Sequence, residues 1–149
     1  MNKKYNVGYT TGVFDLFHIG HLNILKRAKE YCDFLIVGVT TDEEVQRIKN
    51  RKPVICYEER KAIVEAIKYV DKVVEENDAD KIKAWEQLKF DVIFKGSDWK
   101  GTKLWDYYEE YFKARGVDVV YFPYTEGTSS TKLRNVLEKI MKEEILALK

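Results

Sequence analysis

The sequence lacks the features of a membrane-spanning, secreted or thiol-ligated metal protein. No apolar run approaches the roughly 20 residues needed to cross a bilayer, and the first ten residues lack the apolar stretch of a signal peptide. The two cysteines, Cys32 and Cys56, have neither metal-site nor redox spacing. These absences predict a cytoplasmic protein with reduced thiols and no membrane partner.

A charge excess of either sign is also missing. Charged residues make up 34% of the 149 residues, yet the net charge is only +1. Because no general basic field exists, nucleic acid is not expected as a partner, and any anion must be bound by local groups. There are no repeats or linkers, and the two prolines, Pro53 and Pro123, fall in predicted loops. We therefore expect one domain over residues 1–149.

Short apolar strands alternate with amphipathic helices along the chain. Strands are predicted in YNVGYTTG, FLIVGVTT, DKVVEE, FDVIFKG and VDVVYFP, and helices lie between them, with YEERKAIVEAIKYV as one example and SSTKLRNVLEKIMKEEILALK as the last. This alternation predicts an α/β fold: a single-domain, Rossmann-like, doubly wound parallel sheet with helices on both faces. Ligands of such sheets bind beyond the carboxyl ends of the strands.

Both histidines of the chain follow the first predicted strand. His18 and His21 stand three residues apart, so they share one face of a helix's first turn, where free N–H groups favour an anion. Gly12 ends the strand and allows a ligand to approach the backbone. Capping or packing by the histidines is one alternative. A zinc site that includes Asp15 is another.

Hydroxyl groups cluster before the last predicted helix. Thr125, Ser129, Ser130 and Thr131, with Gly127, exceed what a single N-cap requires, and they predict a phosphate cradle. A third segment is basic: the loop RIKNRKP carries Lys49, Arg51 and Lys52, and a solvated loop is the alternative there.

These segments together resemble a known family. GVFDLFHIGH carries the HxGH signature of the nucleotidyltransferase superfamily, YTEGTSSTKLR resembles the RTEGIST signature of its cytidylyltransferases, and KGSDWKG resembles their GDDW stretch. The helix YEERKAIVEAIKYVDKVV also matches in kind, so the resemblance runs from Tyr9 to Leu137. It is strongest to the bacterial glycerol-3-phosphate cytidylyltransferases.

The resemblance implies transfer of a cytidylyl group from CTP to a phosphorylated alcohol, with glycerol 3-phosphate as the favoured acceptor. The acceptor phosphate would attack the α-phosphorus in line, without a covalent enzyme intermediate, and release pyrophosphate. Mg²⁺ is the implied cofactor, held through the triphosphate with no dedicated protein ligands. A homodimer is implied, as is a product that feeds wall or capsule polymers such as teichoic acid.

The resemblance also implies roles for single residues. The implied catalytic residues are His18, His21, Lys49 and Ser129. The nucleotide would contact these histidines, Ser129, and Thr11, Gly12, Val13, Phe14, Asp98, Tyr124, Thr125, Glu126, Gly127, Thr128 and Ser130. The acceptor would contact Lys49, Arg51, Arg60, Lys68, Trp85 and Asp15. The chain departs from the family signature at Tyr124, where the family has arginine, and at Thr128, where it has isoleucine.

Several alternatives stay open at this point. Lys68 could pair with Glu65 on the surface, and Trp85 could belong to the core. Arg134 or Lys132 could compensate for the arginine missing at Tyr124. The same transfer could use ATP, or phosphoethanolamine, phosphocholine or a sugar phosphate as acceptor. A non-enzymatic nucleotide-binding module is the remaining alternative.

Overall fold

Five parallel strands are separated by α-helices in the computed structural model, which describes residues 4–124, 127 and 129–148; two helices lie between the second and third strands, and a 3₁₀ turn, Ser97–Trp99, follows the fourth strand. The strands are β1 (Tyr5–Gly12), β2 (Cys32–Thr40), β3 (Lys72–Glu76), β4 (Val92–Gly96) and β5 (Asp118–Phe122). The helices are α1 (Ile19–Tyr31), α2 (Asp42–Lys49), α3 (Tyr57–Glu65), α4 (Lys81–Leu88), α5 (Lys103–Lys113) and α6 (Ser130–Leu148). The sheet order is β3-β2-β1-β4-β5, which confirms the predicted doubly wound, Rossmann-like sheet.

The sheet has a separate hydrophobic cluster on each face. Because side chains alternate along a strand, Leu35 and Val37 point to one face while Ile36 points to the other. The first cluster joins the sheet to α1 and α3, and includes Leu25 and Val64. The second joins it to α5 and includes Trp105, Tyr108 and Phe112, which lie on one face of that helix, whereas Tyr107 is exposed.

Helix α3 is shorter than the sequence pattern predicts. It ends at Glu65 rather than continuing toward Val70. The chain turns there because Ala66 donates to the carbonyls of Ala62 and Ile63, and Val70 donates to Ile67. The apolar residues of this segment, Ile67 and Val70, still pack against the first cluster, so the apolar pattern of the sequence continues past the end of the helix.

A cleft opens between β1 and β4, where the strand order reverses. These strands pair only through Gly8 with Val92 and Tyr9 with Ile93, whereas β1 pairs with β2 as far as Gly12. Beyond that pairing, strands β1 and β4 are linked by the hydroxyl of Thr10, which donates to the Phe94 carbonyl at 3.4 Å. The switch point therefore leaves space for a ligand at the carboxyl ends of these strands.

Helix α6 does not dock on the sheet. None of its described residues is buried, and Val136, Leu137, Ile140, Met141 and Ile145 are all exposed. Its amphipathic pattern predicts a covered face, which this single chain does not provide. Within the ranges that the structure describes, no helix is both long enough and apolar enough to cross a membrane.

Candidate active site

A cavity of about 330 Å³ lies in the cleft. It is lined by the ends of β1 and β4, the first turns of α1 and α6, and the loop that follows α2. The predicted site residues on its wall are Thr11, Gly12, Val13, Phe14, Asp15, His18, His21, Lys49, Arg51, Asp98, Tyr124, Ser129 and Ser130. Segments from opposite ends of the chain thus converge on a single cavity. Thr125, Glu126 and Thr128 lie outside the described residues.

The two histidines cap helix α1 with the same nitrogen type. Nδ1 of His18 accepts from the Gly20 N–H at 3.0 Å, and Nδ1 of His21 accepts from the His18 N–H at 3.2 Å. An accepting Nδ1 carries no proton, so a neutral imidazole must carry its proton on Nε2. Capping and ligand binding are therefore not competing roles, because the cap fixes each ring as a donor through Nε2.

Burial favours the neutral form of both imidazoles in the ligand-free site. Burial lowers the pKa of His18, and burial together with the nearby His18 lowers the pKa of His21 to about 4, against a smaller opposing effect of Asp15. The ring centroids lie 4.0 Å apart. An anion at these rings would raise both pKa values, since an opposite charge favours the protonated form. The two histidines can thus become protonated when a phosphate binds beside them.

Asp15 joins the histidine loop to two other segments. Its carboxylate accepts from the N–H groups of Val54 and Ile55 at 2.7 and 2.9 Å, and its carbonyl accepts from the Ser130 hydroxyl at 2.5 Å. The residue is 2% exposed. Its observed contacts fix the basic loop and the start of α6 relative to His18. Among the described residues no group of three or more His, Cys, Asp or Glu side chains is placed to hold a metal ion.

Phe14 occupies the space that Gly12 leaves open. A side chain at Gly12 would meet the Phe14 ring at 3.0 Å, and Phe14 itself has a φ of +55°. The ring also packs edge-on against His21, with centroids 5.5 Å apart. The glycine therefore makes room for an aromatic ring that orients a histidine, as well as lining the cavity.

Arg60 is fully buried and lies behind the cavity wall. Its guanidinium donates to the carbonyls of Ile55, Val13 and Thr40 at 2.7–2.8 Å, and it pairs with Asp42 at 2.6 Å. Four of its five N–H donors are engaged by the chain itself, and Arg60 is not among the residues that line the cavity. The structure therefore does not bring Arg60 to the position of a direct acceptor contact; it holds the ends of β1 and β2 and the basic loop together.

Lys68 and Trp85 are also remote from the cavity wall. Lys68 is exposed beside the Tyr69 ring, and Glu65 pairs with Lys61 instead of Lys68. Trp85 packs against the second hydrophobic cluster, and its indole N–H donates to the Phe90 carbonyl at 3.2 Å. The core alternative for Trp85 thus describes its observed contacts.

The start of α6 presents a hydroxyl and a guanidinium to the cavity. The Ser129 hydroxyl accepts from the Lys132 N–H at 3.1 Å and so caps the helix. Arg134, one turn later, lines the cavity, and its buried Nε has no hydrogen-bond partner among the residues that the structure describes. The Lys132 ammonium instead donates to the Gly127 carbonyl at 2.9 Å. Of the two candidates to compensate for the arginine missing at Tyr124, Arg134 is the one that reaches the cavity.

Tyr124 forms a bridge across the cavity rim. Its hydroxyl donates to the Asp98 carboxylate at 2.6 Å, and this hydrogen bond, with burial, raises the pKa of Tyr124 to about 12. The phenol therefore remains a donor at any physiological pH. Trp99, the neighbour of Asp98, lies on the same wall.

The basic loop contributes Lys49 and Arg51 to the cavity. Burial lowers the pKa of Lys49, and the positive charges of Arg51 and Arg134 lower it further, against Asp15. Cations crowded in this way gain from any bound anion. Lys52 is exposed and does not line the cavity.

A second cavity of about 420 Å³ adjoins the first and was not predicted. Its wall carries a buried ion pair: the Lys81 ammonium lies 2.8 Å from one oxygen of Glu76, whose other oxygen accepts from the Thr40 hydroxyl at 2.7 Å. Lys95 lines both cavities. In the sequence, Lys81 resembles an ordinary solvated residue at the start of a helix. The position of Lys95 at the end of a strand was therefore the one signal in the sequence that could have indicated the second cavity.

Comparison with known proteins gives one consistent result. The Cytidylyltransferase-like family model matches residues 9–136. The chain is 41% identical over 132 residues to the glycerol-3-phosphate cytidylyltransferase of Bacillus subtilis (strain 168), covering 84% of this chain and 92% of that protein. It is 39% identical over 135 residues to the protein of that name from Staphylococcus aureus (strain NCTC 8325 / PS 47), covering 86% and 92%.

A solved structure shares the fold. The lipopolysaccharide core biosynthesis protein from Thermoplasma volcanium GSS1 superposes with a TM-score of 0.68 at 27% identity, over 83% of this chain and 99% of that one. The family match spans both the histidine loop and the start of α6, which are the two segments that converge on the first cavity. The chain belongs to the Cytidylyltransferase-like family.

Proposed function

We propose that this protein transfers the cytidylyl group of CTP to glycerol 3-phosphate and releases pyrophosphate. The observation that carries the proposal is the convergence of His18, His21, Ser129 and Arg134 on one cavity at the strand switch point. The named activity of the Bacillus and Staphylococcus relatives supports the choice of both substrates. The reaction is one displacement: an acceptor phosphate oxygen bonds to the α-phosphorus while the bond to the β-phosphate oxygen breaks.

The histidines bind the leaving side of the triphosphate. As the α–β bond breaks, negative charge accumulates on the departing pyrophosphate, and the two Nε2–H groups donate to it. The N-terminal N–H groups of α6, with the Ser129 hydroxyl and the Arg134 guanidinium, hold the remaining phosphates. No side chain is covalently modified, so catalysis consists of placement and charge stabilisation.

Lys49 and Arg51 bind the acceptor's phosphate from the basic loop. Asp15 and Arg60 bind the backbone directly after this loop, at Val54 and Ile55, and so hold the loop in place. Both residues thereby act on the acceptor through position rather than by contact.

Mg²⁺ fits this site through the substrate. The described residues offer no ready-made cluster of metal ligands, and the Asp15 carboxylate is taken up by two backbone N–H groups. Mg²⁺ prefers substrate phosphates and water to all-protein cages, so the triphosphate itself would supply its ligands. Bound there, it would neutralise charge on the phosphates.

We propose that the enzyme acts in the cytoplasm, where CTP is made, and that it forms a homodimer. The exposed apolar face of α6 supports association, since such faces are usually covered. Sedimentation equilibrium of the purified protein tests the dimer, and a concentration-independent monomer mass would refute it.

The decisive experiment measures pyrophosphate release with CTP or ATP, Mg²⁺, and a panel of phosphorylated alcohols. We expect turnover with CTP and glycerol 3-phosphate, and formation of CDP-glycerol by mass spectrometry. Phosphoethanolamine, phosphocholine and a sugar phosphate serve as competing acceptors. Faster turnover with ATP would refute the cytidine preference, and no turnover with any pair would leave only a nucleotide-binding module.

A further inference from the structure

Lys95 is a half-buried cation that pairs with no carboxylate among the described residues. It is the penultimate residue of β4, and its ammonium lies over the rings of Trp99 and Trp105, 4.8 and 5.6 Å from their centroids. Within the described ranges it makes no ion pair and no hydrogen bond to another residue. Lysine is rarely buried unless it is paired, and contact with aromatic faces offsets only part of the lost hydration.

A carboxylate that lines the second cavity together with Lys95 is already occupied. Glu76 pairs with Lys81 and accepts from the Thr40 hydroxyl, so both of its oxygens are used. Burial is the main cause that lowers the pKa of Lys95 to about 8; Lys81 and Lys49 lower it further, against Glu76 and Asp98. The protein therefore holds an ammonium in a place that would be stabilised by an external anion.

Lys95 and the histidines reach the cleft from opposite faces of the sheet. His18 caps α1 and His21 lies in its first turn, and α1 packs on the first hydrophobic cluster, whereas the Lys95 ammonium lies against Trp105 of the second cluster. Six residues line both cavities, and Lys49 and Lys95 are the charged ones among them. The lysines thus mark the junction of the two cavities.

We propose that Lys95 binds the acceptor's phosphate on the side of the α-phosphorus opposite the histidines, and so is a further catalytic residue of the transfer. This inference rests on the proposed function. In an in-line displacement the attacking and leaving oxygens lie on opposite sides of phosphorus. Since the histidines bind the leaving pyrophosphate, the nucleophile arrives from the face of Lys95. One acceptor oxygen bonds to phosphorus, the α–β bridging bond breaks with its electron pair leaving on pyrophosphate, and Lys95 transfers no proton.

The test compares Lys95→Met and Lys95→Arg with Lys89→Met. Lys89 also lies over a tryptophan ring, 3.9 Å from the Trp85 centroid, but it lines neither cavity. For Lys95→Met we expect kcat/KM for glycerol 3-phosphate to fall about 10- to 100-fold, as for a lost charge-assisted hydrogen bond. The dissociation constant for CTP should change less than about threefold, and the melting temperature should stay equal or rise, because an unpaired, half-buried charge is removed.

The controls separate this inference from the proposed function. Lys95→Arg should retain more of the wild-type kcat/KM for glycerol 3-phosphate than Lys95→Met does, and Lys89→Met should keep the wild-type value. Unchanged acceptor kinetics in Lys95→Met, or an equal loss of CTP affinity, would overturn the role of Lys95 while leaving the transferase activity intact. If the wild-type protein turns over no substrate pair, the proposed function fails instead. The anion site at Lys95 is then tested by the rise in melting temperature that inorganic phosphate produces. An equal rise in wild type and Lys95→Met would overturn that site.

Discussion

Substitutions of His18 can separate its capping role from its role as a donor. In His18→Asn, the amide oxygen replaces Nδ1 and still accepts from the Gly20 N–H, which the imidazole now binds at 3.0 Å. The amide does not extend to the position of Nε2. In His18→Gln the amide nitrogen reaches that position, but the cap is lost. Asparagine is among the best N-caps, so we expect near wild-type stability for His18→Asn and a loss of about 1 kcal/mol for His18→Ala.

Activity should follow a different order from stability. Removing one donor from a charge-stabilising site typically lowers kcat by about 10²–10³, so His18→Asn and His18→Ala should both lose this much. His18→Gln should be at least about tenfold more active than His18→Asn, because it keeps a donor near Nε2. Urea unfolding and saturating pyrophosphate-release kinetics measure the two effects. If His18→Asn keeps more than about a third of wild-type kcat, the assignment of Nε2 as the transition-state donor is refuted.

Three further variants test the surrounding site. Arg60→Met should destabilise the protein by about 3 kcal/mol in urea unfolding, because it leaves buried carbonyls unpaired; a loss below about 1 kcal/mol would contradict its anchoring role. Tyr124→Phe should raise the KM for CTP by about three- to tenfold with kcat unchanged, since it removes the bond to Asp98; an unchanged KM would exclude that bridge from nucleotide binding. The pKa of His21 is lowered from 6.5 to about 4 on folding, so the unfolded state binds more protons than the folded state between these two pH values. As far as this group is concerned, the free energy of unfolding is highest above pH 6.5 and falls by about 3 kcal/mol as the pH decreases toward 4. His21→Asn should lose less stability over that window, and an identical pH dependence would contradict the lowered pKa.

The sequence was sufficient to predict the fold because the strands follow simple alternation. Residues such as Leu35, Ile36 and Val37 point to alternate faces of the sheet, and different helices pack against each face. The convergence of the histidine loop with Ser129 was also predictable, since parallel strands carry their following loops to one edge of the sheet. Both predictions need only local periodicity and strand direction.

What the sequence could not predict depends on which side chains are buried. Arg60 lies in an exposed-looking pattern on α3, yet its accessible surface is 0%. Lys81 and Glu76 likewise look like solvated charges but pair inside the second cavity. Charged residues are seldom buried, so pattern reasoning places them outside. Helix α6 poses a different difficulty, because an apolar face on a helix indicates that something covers it without indicating what.

The lowered pKa values of His18, His21, Lys49 and Lys95 have one common physical cause. Each group is partly withdrawn from water near other donors, and no carboxylate among the described residues of the site fully neutralises them. Such a site favours a polyphosphate electrostatically although the chain as a whole carries a net charge of only +1. The anion supplies the opposite charge that the fold leaves out, and it raises these pKa values as it enters. Because the donors are fixed by helix caps and backbone contacts before any ligand arrives, little reorganisation remains for the moment at which charge moves onto pyrophosphate.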